Sequence, residues 1–135
     1  MIFQHTIGLV LSGKKTATTR IWQDHYRFCF DEMHQVHSGD AYHPQNAVVK
    51  STKTGRKLYY VGQQHSVQPG RGKKGIATIE ITRICKVMIH NVIDDPDFIR
   101  REGFNNKAEF LKVWRAMHGT KQIGLHIHFK CLEIN

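Results

Sequence analysis

The stretch "IGLHIHFKCLEI" near the C-terminus sets Ile123, Leu125, Ile127, Phe129 and Cys131 on every second position. Successive side chains of a strand point to opposite faces, so this alternation predicts a long closing strand with one apolar side. A second stretch, "IATIEITRI", repeats the pattern, with Ala77, Ile79 and Ile81 set against Thr78, Glu80 and Thr82, and reads as a half-buried strand.

Between the two strands the period changes. In "DDPDFIRREG", Asp95 is placed to cap a helix with Pro96 in its first turn and Gly103 just past its end. Asn106 and Glu109 then form an Asn-headed variant of a capping box. It opens a helix whose Phe110, Val113, Trp114 and Met117 share one face expected to be core. At the N-terminus, Phe3, Ile7, Val10 and Leu11 follow helical spacing up to Gly13, and "TATTRIW" continues as an extended segment. From Gln23 to about Val67 the pattern is weak, with turns at Gly39-Asp40 and "KTGRK" and short strand candidates at "AVV" and "LYYV". The order is helix, strands, two helices, strand. This predicts an α+β fold: a small, mostly antiparallel sheet or barrel with helices on its outside.

Length and composition agree with one soluble globular domain of 135 residues, 40% hydrophobic and 23% charged, and argue against disorder. The charge balance is the anomaly. Twenty Lys and Arg against eleven Asp and Glu give a net charge of +9, which favours a polyanionic partner such as RNA, DNA or a nucleotide. No apolar run is long enough to span a bilayer, and the N-terminus lacks the basic flank and cleavage site of a signal peptide. Cys29, Cys85 and Cys131 are odd in number and widely spaced. They fit a reduced, cytoplasmic protein with buried or inert thiols.

Several motifs invite over-reading. "GRGKKG" satisfies G-x-G-x-x-G at Gly70, Gly72 and Gly75, but a β-alternating segment follows it where a dinucleotide fingerprint needs a helix N-terminus to receive the pyrophosphate. It reads as a basic loop, in which Arg71, Lys73 and Lys74 are placed to touch phosphates. His126 and His128 lie on one face of the last strand, and His34 and His37 form an HxxH, yet no spacing specifies a third ligand. These histidines are read as ordinary polar positions, and neither a metal nor another cofactor is expected. The basic loops together with Trp22, Tyr59 and Tyr60 supply the cations and ring faces that phosphate neutralisation and base stacking need; Tyr59 and Tyr60 point to opposite strand faces, so at most one is available.

The octet "GKKTATTR" at residues 13–20 gathers three cations and three hydroxyls at a helix-to-strand junction with no acid to balance them. With the Thr-x-Arg-x-Trp strand that follows it, the later Gly-Asp turn, "QPGRGKKGIATIEITRI", the "EGF" leading into "EFLKVW", and the final "HFKCLEI", this order of pieces resembles the ASCH domain family of the PUA-like superfamily. The similarity covers most of the chain, from about Phe3 to Ile134.

The resemblance implies a PUA-like β-barrel with peripheral helices, formed by residues 1–135 as a single domain with an insertion or extended loop around residues 23–67. It also implies a cleft suited to RNA or nucleosides. A branch of the family hydrolyses acylated cytidine nucleosides with a lysine, a threonine and a glutamate, which its pattern places here at Lys15, Thr18 and Glu102, with Arg20 closing the motif. Lys14, Thr16, Arg20 and Trp22 are expected to bind the substrate beside that group, and the longer 23–67 segment and higher positive charge set this chain apart from the compact hydrolases.

The residues themselves are compatible with that chemistry. Amide hydrolysis needs a base or nucleophile, a proton donor to the leaving amine and a group to hold the carbonyl oxygen. Lys15 serves as base if burial and neighbouring Lys14 or Arg20 lower its proton affinity. Glu102 relays the proton and Thr18 donates its hydroxyl to substrate. On an extended strand Thr16, Thr18 and Arg20 share one face, so Lys15 has to reach the pocket through the turn. The same residues equally make a phosphate or base cradle without chemistry, since Lys, Arg and Thr are common phosphate partners. Three functions follow: an RNA- or nucleotide-binding module, a metal-independent hydrolase of a modified nucleoside, and a ribonuclease, for which no acid–base pair is defined.

Overall fold

Helix α1 (Ile7–Leu11) leads into strands β1 (Ala17–Ile21), β2 (Tyr26–Phe30), β3 (Ala47–Ser51), β4 (Lys57–Tyr60), β5 (Gln64–Val67) and β6 (Ala77–Met88). Helices α2 (Ile89–Val92), α3 (Pro96–Arg101) and α4 (Lys107–His118) follow, and β7 (Ile123–Ile134) closes the chain. This computed structural model describes residues 1, 3, 6–30 and 47–134; the HxxH of His34 and His37 and the expected Gly39-Asp40 turn lie outside the described residues.

Among the described residues every strand pairing is antiparallel. Four strands form one sheet in the order β1-β7-β6-β5, and β2-β3-β4 form a second. The two predicted alternating stretches pair with each other as β6 and β7 and make the spine of the larger sheet. Their ladder slips twice, between Thr78 and Ile79 and between Ile81 and Arg83. At the second slip Thr82 is the extra residue, so the inward series Ala77, Ile79, Ile81 resumes at Ile84. An unpaired residue bends a strand and increases its twist, and the sheet accordingly curls into a half-barrel.

The curled sheet has two buried faces. Inside, Ile81, Ile84, Leu125 and Ile127 meet Ala47 and Val49 of the smaller sheet, with Trp22, Tyr26, Phe28 and Tyr59 packed around them. Next to them Phe3 and Val10 cover Val67, Ala77, Ile79 and Phe129. Outside, α3 and α4 bury Phe98, Ile99, Phe110 and Trp114 together with Ile89, against Ile21 and Val87 of the sheet. Gly124 makes that contact close: a Cβ there would sit 2.5 Å from Thr19 Cγ2 and 3.4 Å from Trp114 Cη2.

The capping signals act at the expected residues. Asp95 accepts from the Asp97 N–H at 2.9 Å, and Asn106 Oδ1 accepts from the Glu109 N–H at 3.0 Å. The reciprocal bond from Glu109 reaches back to the Asn105 N–H at 3.0 Å, one residue before the cap. Two expectations need correction. Val113 and Met117 are exposed, at 42% and 65%, because α4 meets the core through the narrow stripe of Phe110 and Trp114. Three helices, not two, separate β6 from β7, since the chain turns through α2 before Asp95. Within residues 23–67, "AVV" and "LYYV" fall in β3 and around β4, whereas β2, where Tyr26, Phe28 and Phe30 alternate, and β5 were not expected. Among the described residues, no helix is long and apolar enough to cross a membrane.

Candidate functional site

Lys15 sits in the turn between α1 and β1, tied on both sides by backbone bonds. Its N–H donates to Leu9 O at 2.9 Å, the next N–H, of Thr16, donates to Arg101 O at 2.8 Å, and Thr16 O accepts from Phe129 N at 2.9 Å. The last of α3 is thereby held against the start of β1. Glu102 caps α3, and Gly103 follows at φ +88°, a left-handed stop that suits glycine. A Cβ on Gly103 would come within 3.2 Å of Lys15 Cβ, so its absence also lets the two segments touch.

The Lys15 ammonium donates to the backbone oxygen of Glu102 at 2.7 Å and to its Oε2 at 3.2 Å. A cation on a terminal carbonyl at a helix C-terminus is favourable, and it offsets the misplacement of a carboxylate there. Glu102 Oε1 receives two further contacts: the Thr19 hydroxyl, and His126 Nδ1 at 3.0 Å. Thr19 Oγ1 and His126 Nδ1 are themselves 3.0 Å apart, on directly paired residues of β1 and β7. Lys15, Glu102 and His126 retain 4%, 2% and 5% of their exposure, so a cation, a carboxylate and an imidazole share a nearly dry space. The Phe98 ring lies 4.7 Å from that of His126, and Lys15 Nζ is 5.9 Å from the Phe104 centroid.

Burial lowers the pKa of Lys15; the charge and hydrogen bond of Glu102 oppose that, Arg20 reinforces it, and the amine stays below the ordinary lysine value. For Glu102, burial pushes upward, but the His126 hydrogen bond, the Lys15 and His126 charges and the Thr19 hydroxyl together hold the carboxyl below its usual range. His128, whose ring meets that of His126 edge-on at 4.7 Å, has its pKa lowered from 6.5 to about 4 by burial first and then by His126, Arg101 and Arg83, against the pull of Glu102. The two histidines of "HIH" do share a face, as alternation requires. His126 is nevertheless a buried hydrogen-bonded member of this cluster rather than a half-exposed polar residue, because β7 is a central strand covered by α3. Among the described residues, no group of three or more His, Cys, Asp or Glu is arranged to hold a metal.

Thr18 and Arg20 alternate with Thr19, so they point the other way, to the face that carries their partners Ile127 and Leu125. Thr18 is buried at 7%, and the Arg20 guanidinium lies 5.6 Å from the Phe3 ring. Tyr59 is within electrostatic reach of both Arg20 and Tyr26. Trp22 continues the same face, with Tyr26 edge-on at 5.5 Å, Phe28 at 5.6 Å, and Lys86 Nζ 4.3 Å from its ring centroid. Tyr60, by contrast, is exposed. His65, which pairs with Ile79, lies 6.4 Å from the Tyr59 ring, and among the described residues its buried Nε2 has no hydrogen-bond partner.

Of the residues expected at the site, Lys15 and Glu102 are in direct contact, and Thr18, Arg20 and Trp22 sit on the opposite face of the sheet. Thr16 lies between them in the chain, with its backbone engaged, and Lys14 is exposed. Arg71, Lys73 and Lys74 are exposed on the loop between β5 and β6, which carries Gly72 at φ +75° and no helix. Thr19 and His126 are the cluster members that sequence reasoning did not assign. Their one signal is cross-strand register, which the sequence does not reveal for strands so far apart in the chain. Of the cysteines, Cys85 is half-buried with its thiol pKa pushed up by burial, whereas Cys131 is exposed.

No family model matches the sequence, and no curated protein matches it significantly. Solved structures do. A crystal structure of the ASCH domain from Lactobacillus crispatus JV V101 aligns with a TM-score of 0.58 and 21% identity, over 92% of this chain and 68% of that one. A crystal structure of an Enterococcus faecalis V583 protein described as family-model DUF984 aligns with a TM-score of 0.54 and 18% identity, over 95% of this chain and 70% of that one. Helix caps, curled antiparallel sheet and outer helices thus assemble into one known arrangement, and the fold of this chain is that of the ASCH domain.

Proposed function

We propose that residues 1–135 act as one cytoplasmic ASCH domain that binds RNA or a nucleotide on the inner face of its half-barrel. The observation that carries this reading is one face that holds the Arg20 guanidinium, beside the Phe3 ring and within electrostatic reach of Tyr59, and the Trp22–Tyr26 ring pair, with Lys86 over the Trp22 ring. Nucleotides present a phosphate and a flat π-face, and a guanidinium beside indole and phenol rings complements both. The His65 Nε2 adds a buried polar atom for which a bound base would supply a partner. A chain of net charge +9, with Arg71, Lys73 and Lys74 on an outlying loop, extends the attraction to a longer phosphate backbone. Titration of a short fluorescent RNA and of mononucleotides at rising salt tests this. Affinity falls with salt and drops in Arg20→Ala and Trp22→Ala; no binding at low salt rejects the reading.

A second reading rests on the Lys15–Glu102 contact. A buried amine with lowered proton affinity, 3.2 Å from a carboxylate, has the composition of a general base with its proton relay. In hydrolysis of an N-acylated nucleoside, water adds to the carbonyl carbon as its proton passes to the Lys15 amine. The C–N bond then breaks as the nucleoside amine takes a proton through Glu102, leaving acid and free nucleoside. A panel of acylated nucleosides is turned over by the wild type and not by Glu102→Gln if this holds, and an inert wild type rejects it.

A further inference from the structure

The hydrolase reading uses two side chains of a four-membered cluster, and the other two determine how those two meet. Thr19 and His126 face each other across the β1–β7 pairing, and both contact the same carboxylate oxygen, Glu102 Oε1. Oε2 is left to Lys15. An ionised carboxylate only accepts, so the Thr19 hydroxyl and the His126 Nδ1–H both act as donors, and Thr19 Oγ1 at 3.0 Å shares the Nδ1 proton.

This is not a nucleophile–histidine–acid relay. Such a relay needs the hydroxyl and the carboxylate on opposite ring nitrogens, with the imidazole passing a proton between them. Here a single nitrogen, Nδ1, faces both Thr19 and Glu102. The imidazole therefore has no route to carry a proton from Thr19 to Glu102, and its work on the carboxylate is to hold it.

We propose that Thr19 and His126 are positioning residues of the Lys15–Glu102 pair: together they clamp Oε1, fix the carboxylate ionised, and turn Oε2 toward the lysine. This deepens the hydrolase reading and rests on it. The clamp draws charge toward Oε1, so the carboxylate grips the ammonium less firmly than a free one would, and the amine gives up its proton more readily. Its parts come from four places in the chain: Lys15 from the turn before β1, Thr19 from β1, His126 from the paired β7, and Glu102 from the end of α3. The charged and titratable groups around it are Lys15, Arg20 on β1, His126 and His128 on β7, Arg101 on α3 and Arg83 on β6. Gly124 guards the geometry, because any Cβ there drives into Thr19 Cγ2.

The test reads the pair directly and needs no substrate. Carbon-13 spectra of the Glu102 carboxyl and the Lys15 Cε are followed against pH in the wild type, Thr19→Val, Thr19→Ser, His126→Leu and His126→Asn. Valine keeps the shape of threonine without its hydroxyl, and an asparagine amide places a donor near the position of Nδ1. Removing either donor shifts the Glu102 midpoint upward and the Lys15 midpoint upward with it, while serine and asparagine restore both. Unmoved midpoints in a folded Thr19→Val protein overturn the proposal, and that variant decides alone if His126→Leu does not fold. Turnover of an acylated nucleoside with unmoved midpoints rejects the positioning role only. Midpoints that move in a protein inert to the whole panel reject the hydrolase reading and leave the clamp as a structural device.

Discussion

The two faces of β1 carry similar side chains in opposite circumstances. On the outer face Thr19, with Lys15 just ahead of the strand, closes onto Glu102 and His126 under α3 and α4. On the inner face Thr18 and Arg20 look toward Phe3, Tyr59 and the aromatic row that begins at Trp22. One face is an almost dry network in which the carboxylate's two oxygens both have donors, and the other mixes a guanidinium with half-buried rings. Polar residues in one short stretch therefore divide by strand parity into a buried hydrogen-bonded cluster and a group set among aromatic rings.

The contrast is broken most sharply at Lys15. Lys15→Met leaves the Glu102 charge buried without its cation and costs about 3–5 kcal/mol, read as a lower urea midpoint with an unchanged slope. Lys15→Met combined with Glu102→Gln recovers part of the loss; full additivity of the two single effects would show that the residues do not interact. On the inner face the expected effect is on binding. Arg20→Ala weakens nucleotide or RNA affinity by roughly tenfold or more, the worth of a hydrogen bond to a charged group, and an unchanged affinity would move the binding surface elsewhere.

Gly124→Ala sharpens the comparison from the packing side. Its Cβ collides with Thr19 Cγ2 on the outer face at 2.5 Å and meets Arg20 only at the backbone oxygen, 3.4 Å away. Overpacking of this kind costs about 1–3 kcal/mol, and binding on the inner face should survive it in the folded fraction. Acidity separates the faces further. Because the folded pKa of His128 lies at about 4, below the ordinary 6.5, the unfolded chain takes up the proton first. Its contribution to stability is therefore complete above pH 6.5 and is lost as pH falls through that window. Glu102, also lowered, adds its own loss at still more acid pH, as its carboxylate is protonated in the fold. His128→Asn flattens the first part of the profile, and a wild-type stability that stays level from pH 6.5 to about 4 would contradict this. The smallest effect is expected from Lys73→Ala with Lys74→Ala: a few-fold drop in RNA affinity at low salt, and a salt slope shallower by about one for each phosphate that is no longer neutralised.

Much of the scaffold was legible because its signals are local. Alternation in residues 77–81 and 123–129 depends only on one face being buried, and both stretches became the central strands. Asp95 and Asn106 cap helices through N–H groups two or three residues away, within reach of their own side chains. Where a signal depended on what packs above it, the reading failed: Met117 has the right spacing for a core face, but α4 buries only Phe110 and Trp114, and Met117 is exposed. Strand β5 was illegible because "QHSV" has no apolar alternation, whereas β2 does set Tyr26, Phe28 and Phe30 on every second position, a signal too short to stand out in a stretch of weak pattern.

The site divides in the same way. The octet announced a concentration of cations and hydroxyls, and Gly103 after "RRE" announced a helix end, both readable from neighbours in the chain. Which hydroxyl reaches Glu102 was decided by the side on which α3 lies. Thr18 and Thr19 are adjacent and chemically alike, and a strand sends them to opposite faces. His126 looked like one of two equivalent strand histidines until the β1–β7 register set it against Thr19 and the end of α3 set it against Glu102. The amino-acid sequence by itself determined the α+β pattern, the positive charge, the caps and the presence of a polar junction, since each acts over a few residues or over the whole composition. Tertiary structure alone decided which of those polar groups meet, because hydrogen bonds between residues 83, 87 and 107 positions apart exist only once sheet register and helix docking bring them within about 3 Å.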